Sequence, residues 1–181
     1  MKKHSRLLSL SFVLLLSSCQ SRIEKDSKLA YETKQQIPIN TALIQMQYDF
    51  DPMIKSSGTD SLFSRDLTQA IEKWAYNRLR TVGQSGTAQL TVRDASILKL
   101  PNPMNPAKFE GRLDVVLSLV NAKGIITAQT EAKIKREKQA PNNMTDEERK
   151  DLTDSVIKDV INAFDLQMEG AIMSMMASPV R

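Results

Sequence analysis

Hydrophobic and polar residues alternate along residues 38–48, and this two-residue period predicts a strand with one buried face. Apolar residues then recur at steps of three and four along residues 61–82, which predicts an amphipathic helix that stops at Gly83. Trp74 lies in the middle of the apolar stripe of this helix. We therefore expect its side chain in the core.

Three further strands follow this helix. Residues 87–100 predict a strand whose alternation slips at residues 94–96, which indicates a bulge. Residues 102–106 contain two prolines and predict a loop. Alternation returns in residues 113–119 and 126–134, which predict the two strands of a hairpin.

A long second helix closes the chain. Thr145 and Glu148 have the spacing of a capping box, and the apolar stripe that follows continues to Met175. The element order is β-α-β-β-β-α, which predicts an α+β fold. We expect a four-stranded mixed or antiparallel sheet with two amphipathic helices on one face. The other face would be open to water or to a partner.

The N-terminus has the order of a secretory signal peptide. Residues 1–6 are basic, and the apolar segment at residues 7–16 is too short to span a bilayer. Residues 16–18 are Leu-Ser-Ser and directly precede Cys19, which resembles the lipobox of bacterial lipoproteins. The resemblance implies that Cys19 receives a diacylglycerol and becomes the first mature residue. The alternative is an ordinary secreted protein with a spare cysteine.

These features divide the chain into three parts. We expect a signal peptide at residues 1–18, a lipidated and flexible tether at residues 19–36, and a single periplasmic domain at residues 37–178. In the lipoprotein sorting pattern, an Asp after the cysteine retains the protein in the inner membrane. This chain has Gln20 instead, which predicts the inner leaflet of the outer membrane.

Composition excludes several classes of site. Cleavage of the signal peptide takes away three cations and no acid, so the formal net charge falls from +4 to +1. A net charge this small does not predict binding to nucleic acid. His4, the only histidine, is removed as well, and Cys19 is the only cysteine. The mature chain therefore lacks the residues of Ser-His-Asp or Cys-His catalysis and of His- or Cys-ligated zinc sites. We expect no catalytic residues, no metal and no cofactor.

Carboxylates near the predicted strand ends are the remaining candidates for catalysis. Two of them could pair for general acid and base work or hold a hard cation, although their spacing is specific for neither. The alternative is that they form turns and solvated strand surface. The candidates are Asp49, Asp51, Asp94, Glu110 and Asp114.

Two groups of side chains are candidates for contacts with lipid or protein. The basic group could meet anionic headgroups or protect a strand edge, and the methionines could fill the core or form an adaptable surface. The basic group is Lys133, Lys135, Arg136 and Lys138. The methionines are Met168, Met173, Met175 and Met176, of which Met173 and Met176 lie off the core stripe.

Val116 and Val120 alternate out of phase with the core positions of their strand. They would face away from the helices and leave bare apolar surface. We therefore expect both valines to contact a partner.

Three segments resemble a family of uncharacterised proteobacterial envelope proteins, over roughly residues 37–176. They are residues 70–79 (AIEKWAYNRL) with Gly83, residues 90–96 (LTVRDAS) and residues 111–115 (GRLDV). The element order is also similar to the auxiliary lipoproteins of envelope ABC transporters and to the lipoprotein of the lipopolysaccharide translocon. These resemblances imply a small domain that binds a larger machine, with no established catalytic residues.

The sequence thus favours a non-enzymatic lipoprotein, held on a membrane by Cys19, that binds or braces a component of envelope lipid transport or assembly. A carboxylate-dependent hydrolase acting on cell wall or glycan is the first alternative. A structural lipoprotein that binds peptidoglycan is the second.

Overall fold

The computed structural model describes residues 29–50, 61–101, 107–141 and 143–177. The predicted signal peptide and Cys19 lie outside these residues, as do Asp51 and the predicted loop at residues 102–106. The elements in chain order are a 3-10 turn Ala30–Thr33, β1 Ile37–Ile39, β2 Leu43–Tyr48, α1 Ser61–Arg78, β3 Leu79–Thr81, β4 Thr87–Leu100, β5 Lys108–Val120, β6 Ile126–Gln139 and α2 Asp146–Ala177.

The main sheet has four strands in the order β2-β4-β5-β6. β2 is parallel to β4, and β4, β5 and β6 form an antiparallel meander. α1 packs on β4, whereas α2 packs on β5 and β6, so both helices cover one face. The predicted fold class, an α+β fold with a mixed or antiparallel four-stranded sheet and two helices on one face, is confirmed, and the sheet is mixed.

Two predicted boundaries were wrong. The predicted strand at residues 38–48 is interrupted at residues 40–42, where the N–H of Thr41 donates to the carbonyl of Ile39 at 2.8 Å. The first helix ends at Arg78 instead of Val82, because the chain then extends as β3 and pairs in parallel with β1. Helical periodicity did not reveal this short pairing, because it depends on a strand about 40 residues away in the sequence.

The other predicted elements agree with the structure. The register of β4 shifts between Val92 and Asp94, which confirms the bulge and places its extra residue at Arg93. The capping box is formed: the N–H of Thr145 donates to a carboxylate oxygen of Glu148 at 2.8 Å, and the N–H of Glu148 donates to Oγ1 of Thr145 at 3.2 Å. The hairpin strands are longer than predicted, since they continue through charged residues.

The core lies between the inner face of the sheet and the two helices. Trp74 is fully buried, as predicted, and its ring packs edge-on against Phe164 at a centroid distance of 4.7 Å. α2 packs closely against β5 at Gly111, where an added Cβ would lie 2.7 Å from Cγ2 of Val160. Other buried core residues are Leu67, Ile71, Leu90, Ile97, Leu113, Val115, Val156 and Met168.

The predicted exposure of Val116 was wrong. Val116 does lie on the outer face of the sheet, but it is only 2% exposed. Its strand neighbours are Thr91 and Glu131, and it lines a small cavity together with Arg93, Gln129 and Glu131. Val120 is half-buried at the end of β5. Binding of a partner by these valines stays a prediction.

The predicted tether boundary also needs correction. Residues 29–36, here called the strap, are part of the fold, although they were assigned to a flexible tether. Tyr31 is 1% exposed and packs in the core, and the N–H of Ala30 donates to Oδ1 of Asn162 at 3.3 Å. Because only Tyr31 and Leu29 are large and apolar near this turn, the segment has no period that a sequence pattern could reveal.

Candidate functional site

Several predicted site residues meet on the outer face of the sheet. The strand register places Asp94 opposite Asp114, and Asp114 opposite Lys133. The residues of this outer-face cluster are Asp94, Glu110, Arg112, Asp114, Lys133 and Lys135. Most of them line an open cavity of about 210 Å³.

Glu110 is the most buried charge of the outer-face cluster, at 1% exposure. Its carboxylate accepts hydrogen bonds from Arg112 Nε and forms an ion pair with Lys135 Nζ at 2.6 Å. Burial alone would raise the pKa of Glu110, but the bonds from Lys135 and Arg112 outweigh burial and lower it. Glu110 is therefore held as a carboxylate beneath two cations.

The carboxyl groups of Asp94 and Asp114 lie on facing strands and have different surroundings. Burial raises the pKa of Asp94, and the facing Asp114 raises it further against the opposing effects of Ser96 and Arg112. Oδ2 of Asp114 lies 3.6 Å from Lys133 Nζ, whereas its Oδ1 is buried without a hydrogen-bond partner. A carboxyl with a raised pKa that faces a second carboxyl has the chemistry expected of a general acid beside another acid.

The other predicted groups do not join the outer-face cluster. Asp49 is exposed beyond the end of β2, where its N–H donates to the carbonyl of Val92 at 3.0 Å. The basic group divides as well, since Lys138 Nζ pairs with Asp159 on α2 at 2.8 Å. Arg136 is exposed and donates to the neighbouring carbonyl of Lys135. Among the described residues, no group of three acids, histidines or cysteines is arranged to hold a metal ion.

The methionines of α2 have different surroundings. Met168 is buried and belongs to the core, and Met175 is half-buried. Met173 and Met176 are exposed, which agrees with their predicted positions off the core stripe. The end of α2 thus presents two soft apolar side chains to its surroundings.

Sequence reasoning missed a second cluster, the strap cluster of Lys34, Arg78, Asp165 and Glu169. Lys34 Nζ lies 2.7 Å from Oδ2 of Asp165 and 2.9 Å from Oε2 of Glu169. Arg78 Nε donates to Oδ1 of Asp165 at 2.7 Å, and its Nη2 lies 2.9 Å from Oε2 of Glu169. Arg78 also donates to the backbone carbonyl of Gln35 in the strap. Two cations and two acids therefore join the strap to both helices.

Asp165 is the centre of the strap cluster. Trp74 Nε1 donates to Oδ1 of Asp165 at 2.9 Å, and the Asp165 side chain is 2% exposed. Burial would raise the pKa of Asp165, but hydrogen bonds from Lys34, Arg78 and Trp74 outweigh burial and lower it. A sequence signal did exist: Arg78 continues the apolar stripe four residues after Trp74, and Asp165 directly follows the core residue Phe164.

Comparisons with known proteins give structural neighbours only. No protein-family model and no curated protein matches the chain. Similar solved structures include the minor lipoprotein from Acinetobacter baumannii, at 14% identity and a TM-score of 0.43, which covers 76% of this chain and 96% of that chain. Rare lipoprotein B from Shewanella oneidensis has 14% identity and a TM-score of 0.43, and the match covers 75% of this chain and 99% of that chain. An uncharacterised lipoprotein B from Nitrosomonas europaea has 14% identity and a TM-score of 0.34, and the match covers 75% of this chain and 90% of that chain.

None of the helices in residues 29–50, 61–101, 107–141 and 143–177 combines the length and the apolar character needed to cross a bilayer.

Proposed function

We propose that the chain is a lipid-anchored lipoprotein of the bacterial envelope that binds or braces a component of lipid transport or assembly and is not an enzyme. Its Cys19 would carry the lipids in the inner leaflet of the outer membrane, since Gln20 follows it. The component of lipid transport is inferred from the similarity in element order to transport lipoproteins.

The observation that carries the proposal is the attachment of the strap to both helices. Nine residues lie between Cys19 and Leu29, and a fully extended chain over these ten Cα–Cα steps spans at most about 35 Å. From Leu29 onward the chain is fixed by the burial of Tyr31 and by the ion pairs of Lys34. The folded domain is therefore held within a short distance of the acylated residue, as a brace beside a membrane requires.

The outer face of the sheet is the surface we assign to the protein partner. Both helices cover the opposite face, so the outer-face cluster is presented to the surroundings. Its side chains carry both signs of charge, which favours orientation and selection of a partner over simple adhesion. Glu110 is matched by Arg112 and Lys135, an arrangement that needs no catalytic role.

The anchor is tested by replacing Cys19. In cells fed a fatty-acid probe, we expect label on the wild-type protein and none on Cys19→Ala, which should also keep its signal peptide. Cys19→Ala should fail to complement a deletion strain although it is produced. Equal labelling of the two proteins would contradict the lipoprotein proposal, and recovery of the wild type in the inner-membrane fraction would contradict the sorting.

A hydrolase acting on cell wall or glycan is the second candidate, favoured by the facing pair Asp94 and Asp114. If either carboxyl does chemistry, its amide should lose several orders of magnitude in rate. We expect instead that Asp94→Asn and Asp114→Asn complement the deletion at normal protein levels. Glu110→Gln is a less suitable control, because it leaves Arg112 and Lys135 without their buried partner. An abundant Asp94→Asn or Asp114→Asn protein that fails to complement would favour the hydrolase.

A further inference from the structure

One end of the sheet carries a group of apolar side chains that solvent can reach, here called the apolar rim. Of its members, Leu43, Val82, Ile125 and Ile126 are exposed, and Val120 is half-buried. The strand register places Leu43, Thr87, Val120 and Ile126 in one row across all four strands. At about 4.8 Å between strands, this row is roughly 14 Å wide.

The remaining members of the apolar rim lie beside this row. The N–H of Val82 donates to the carbonyl of Ile39 at 3.0 Å, and the next N–H, of Gly83, donates to the carbonyl of Thr41 at 3.2 Å. Val82 is therefore next to the turn that starts β2. Ile125 directly precedes β6. Four of the five side chains are more than half exposed: Leu43 at 55%, Val82 at 52%, Ile125 at 58% and Ile126 at 56%.

The loops at this end of the sheet carry cations and no acids. Residues 40–43, 80–87 and 120–128 contain the cations Arg80 and Lys123 and no Asp or Glu. α2 runs back from the far end, where Lys138 pairs with Asp159, and its last residues 170–177 also contain no acid. They include the exposed Met173 and Met176.

The opposite end of the domain carries both signs of charge. Asp49 follows β2, Glu137 lies near the end of β6, and α2 begins with the acids Asp146, Glu147 and Glu148. The cations at this end are Lys99, Lys108, Lys135, Arg136 and Lys138. The two ends therefore differ in their acids, which are present at the far end and absent from residues 40–43, 80–87 and 120–128.

We infer that the apolar rim contacts the surface of the bilayer that holds Cys19, an inference that rests on the proposed lipid anchor. Apolar side chains flanked by cations, without acids, suit the interface of an anionic membrane. A protein partner would not require the depletion of acids over three separate loops. The outer-face cluster remains available to the protein partner.

The length of the N-terminal chain permits this contact. The strap begins beside Asn162, to which Ala30 donates, and α2 continues for fifteen residues from Asn162 to Ala177. At 1.5 Å per residue this is about 22 Å. The segment between Cys19 and Leu29 spans up to about 35 Å, so it is long enough for the rim and the lipids to share one surface.

The test places one added tryptophan at each end of the sheet. Ile126→Trp reports on the rim, and Tyr48→Trp is the matched control at the far end of β2. Each lipidated mature protein is inserted into vesicles of phosphatidylethanolamine and phosphatidylglycerol, with and without a brominated phospholipid that quenches tryptophan on contact. Trp74 is fully buried and contributes the same background to both variants. We expect several-fold stronger quenching for Ile126→Trp than for Tyr48→Trp.

A charge reversal sharpens the test. Lys123→Glu, in the exposed turn before β6, should weaken quenching of the Ile126→Trp variant, whereas Lys99→Glu, exposed near the other end of β4, should leave it unchanged. Equal or absent quenching of the two tryptophans, in protein that carries fatty-acid label, would overturn the rim inference and leave the anchor intact. That result would favour a protein partner as the occupant of the rim. Unlabelled wild-type protein would overturn both proposals.

Discussion

Asp165 on α2 accepts the Nε–H of Arg78 on α1 at 2.7 Å, and neither side chain is more than 2% exposed to solvent. Breaking a buried ion pair by removing one partner costs about 3–5 kcal/mol, because the other charge stays buried without compensation. Glu169, which also contacts Arg78, is one-third exposed and cannot replace the missing charge fully. This pair therefore makes the domain sensitive to single substitutions.

The first prediction is that Asp165→Asn lowers the free energy of unfolding by about 3 kcal/mol. The variant keeps the shape of the side chain and removes only its charge. Urea denaturation of the two proteins measures the difference. Asp159→Asn is the control, since its pair with Lys138 is partly exposed and should contribute at most about 1 kcal/mol. Equal losses of stability in the two variants would contradict the larger contribution of the buried Asp165–Arg78 pair.

The second prediction concerns pH. The pKa of Asp165 is lowered in the folded protein, relative to an ordinary value of 3.8. The unfolded chain then binds the proton more readily, so stability from this carboxylate is present above the ordinary pKa and is lost as the pH falls through the lower folded value. The stability difference between wild type and Asp165→Asn should therefore be constant near neutral pH and shrink below about pH 4. Urea titrations across that range measure it.

The third prediction separates two roles of Trp74. Trp74→Ala removes a fully buried ring and should cost about 3–5 kcal/mol, whereas Trp74→Phe keeps the ring contact with Phe164 and loses the bond to Asp165. Trp74→Phe should be the less destabilised variant. The native emission of Trp74 should be blue-shifted. Emission like that of tryptophan in water would contradict the burial of Trp74 against the core.

The fourth prediction tests the close approach of α2 to β5. Gly111→Ala places a Cβ 2.7 Å from Val160 and 2.8 Å from Val156, so overpacking should cost about 1–3 kcal/mol. Removing volume at the facing position should relieve part of this cost. The double variant Gly111→Ala with Val160→Ala should therefore be more stable than the sum of the single effects predicts. Strictly additive losses would contradict the contact.

The elements with a sustained hydrophobic period were predictable from sequence. The stripe of α1 predicted the burial of Trp74, and the slip of alternation at residues 94–96 predicted the bulge that the structure places at Arg93. Both signals exist because side chains on a half-buried surface must repeat with the geometry of the backbone. The pairing of β1 with β3 was not predictable in this way. Each strand has only three residues, and the pairing depends on a contact between distant segments.

The candidate sites were only partly predictable. Asp94, Glu110 and Asp114 were recognised as candidates from their positions near strand ends, but the register that brings Asp94 opposite Asp114 depends on the bulge and on the loop between β4 and β5. Lys34 was assigned to the tether because it lies in a polar segment. Only the folded arrangement of the two helices brings it to Asp165.

The strap cluster also sets an order in which the domain can fold. Lys34 is separated by more than 130 residues from its partners Asp165 and Glu169, both of which lie on α2. The strap therefore has no charged partner until α2 is in place against α1. The N-terminal segment of the described fold is thus fixed only after its C-terminal helix, and the domain closes last at the strap.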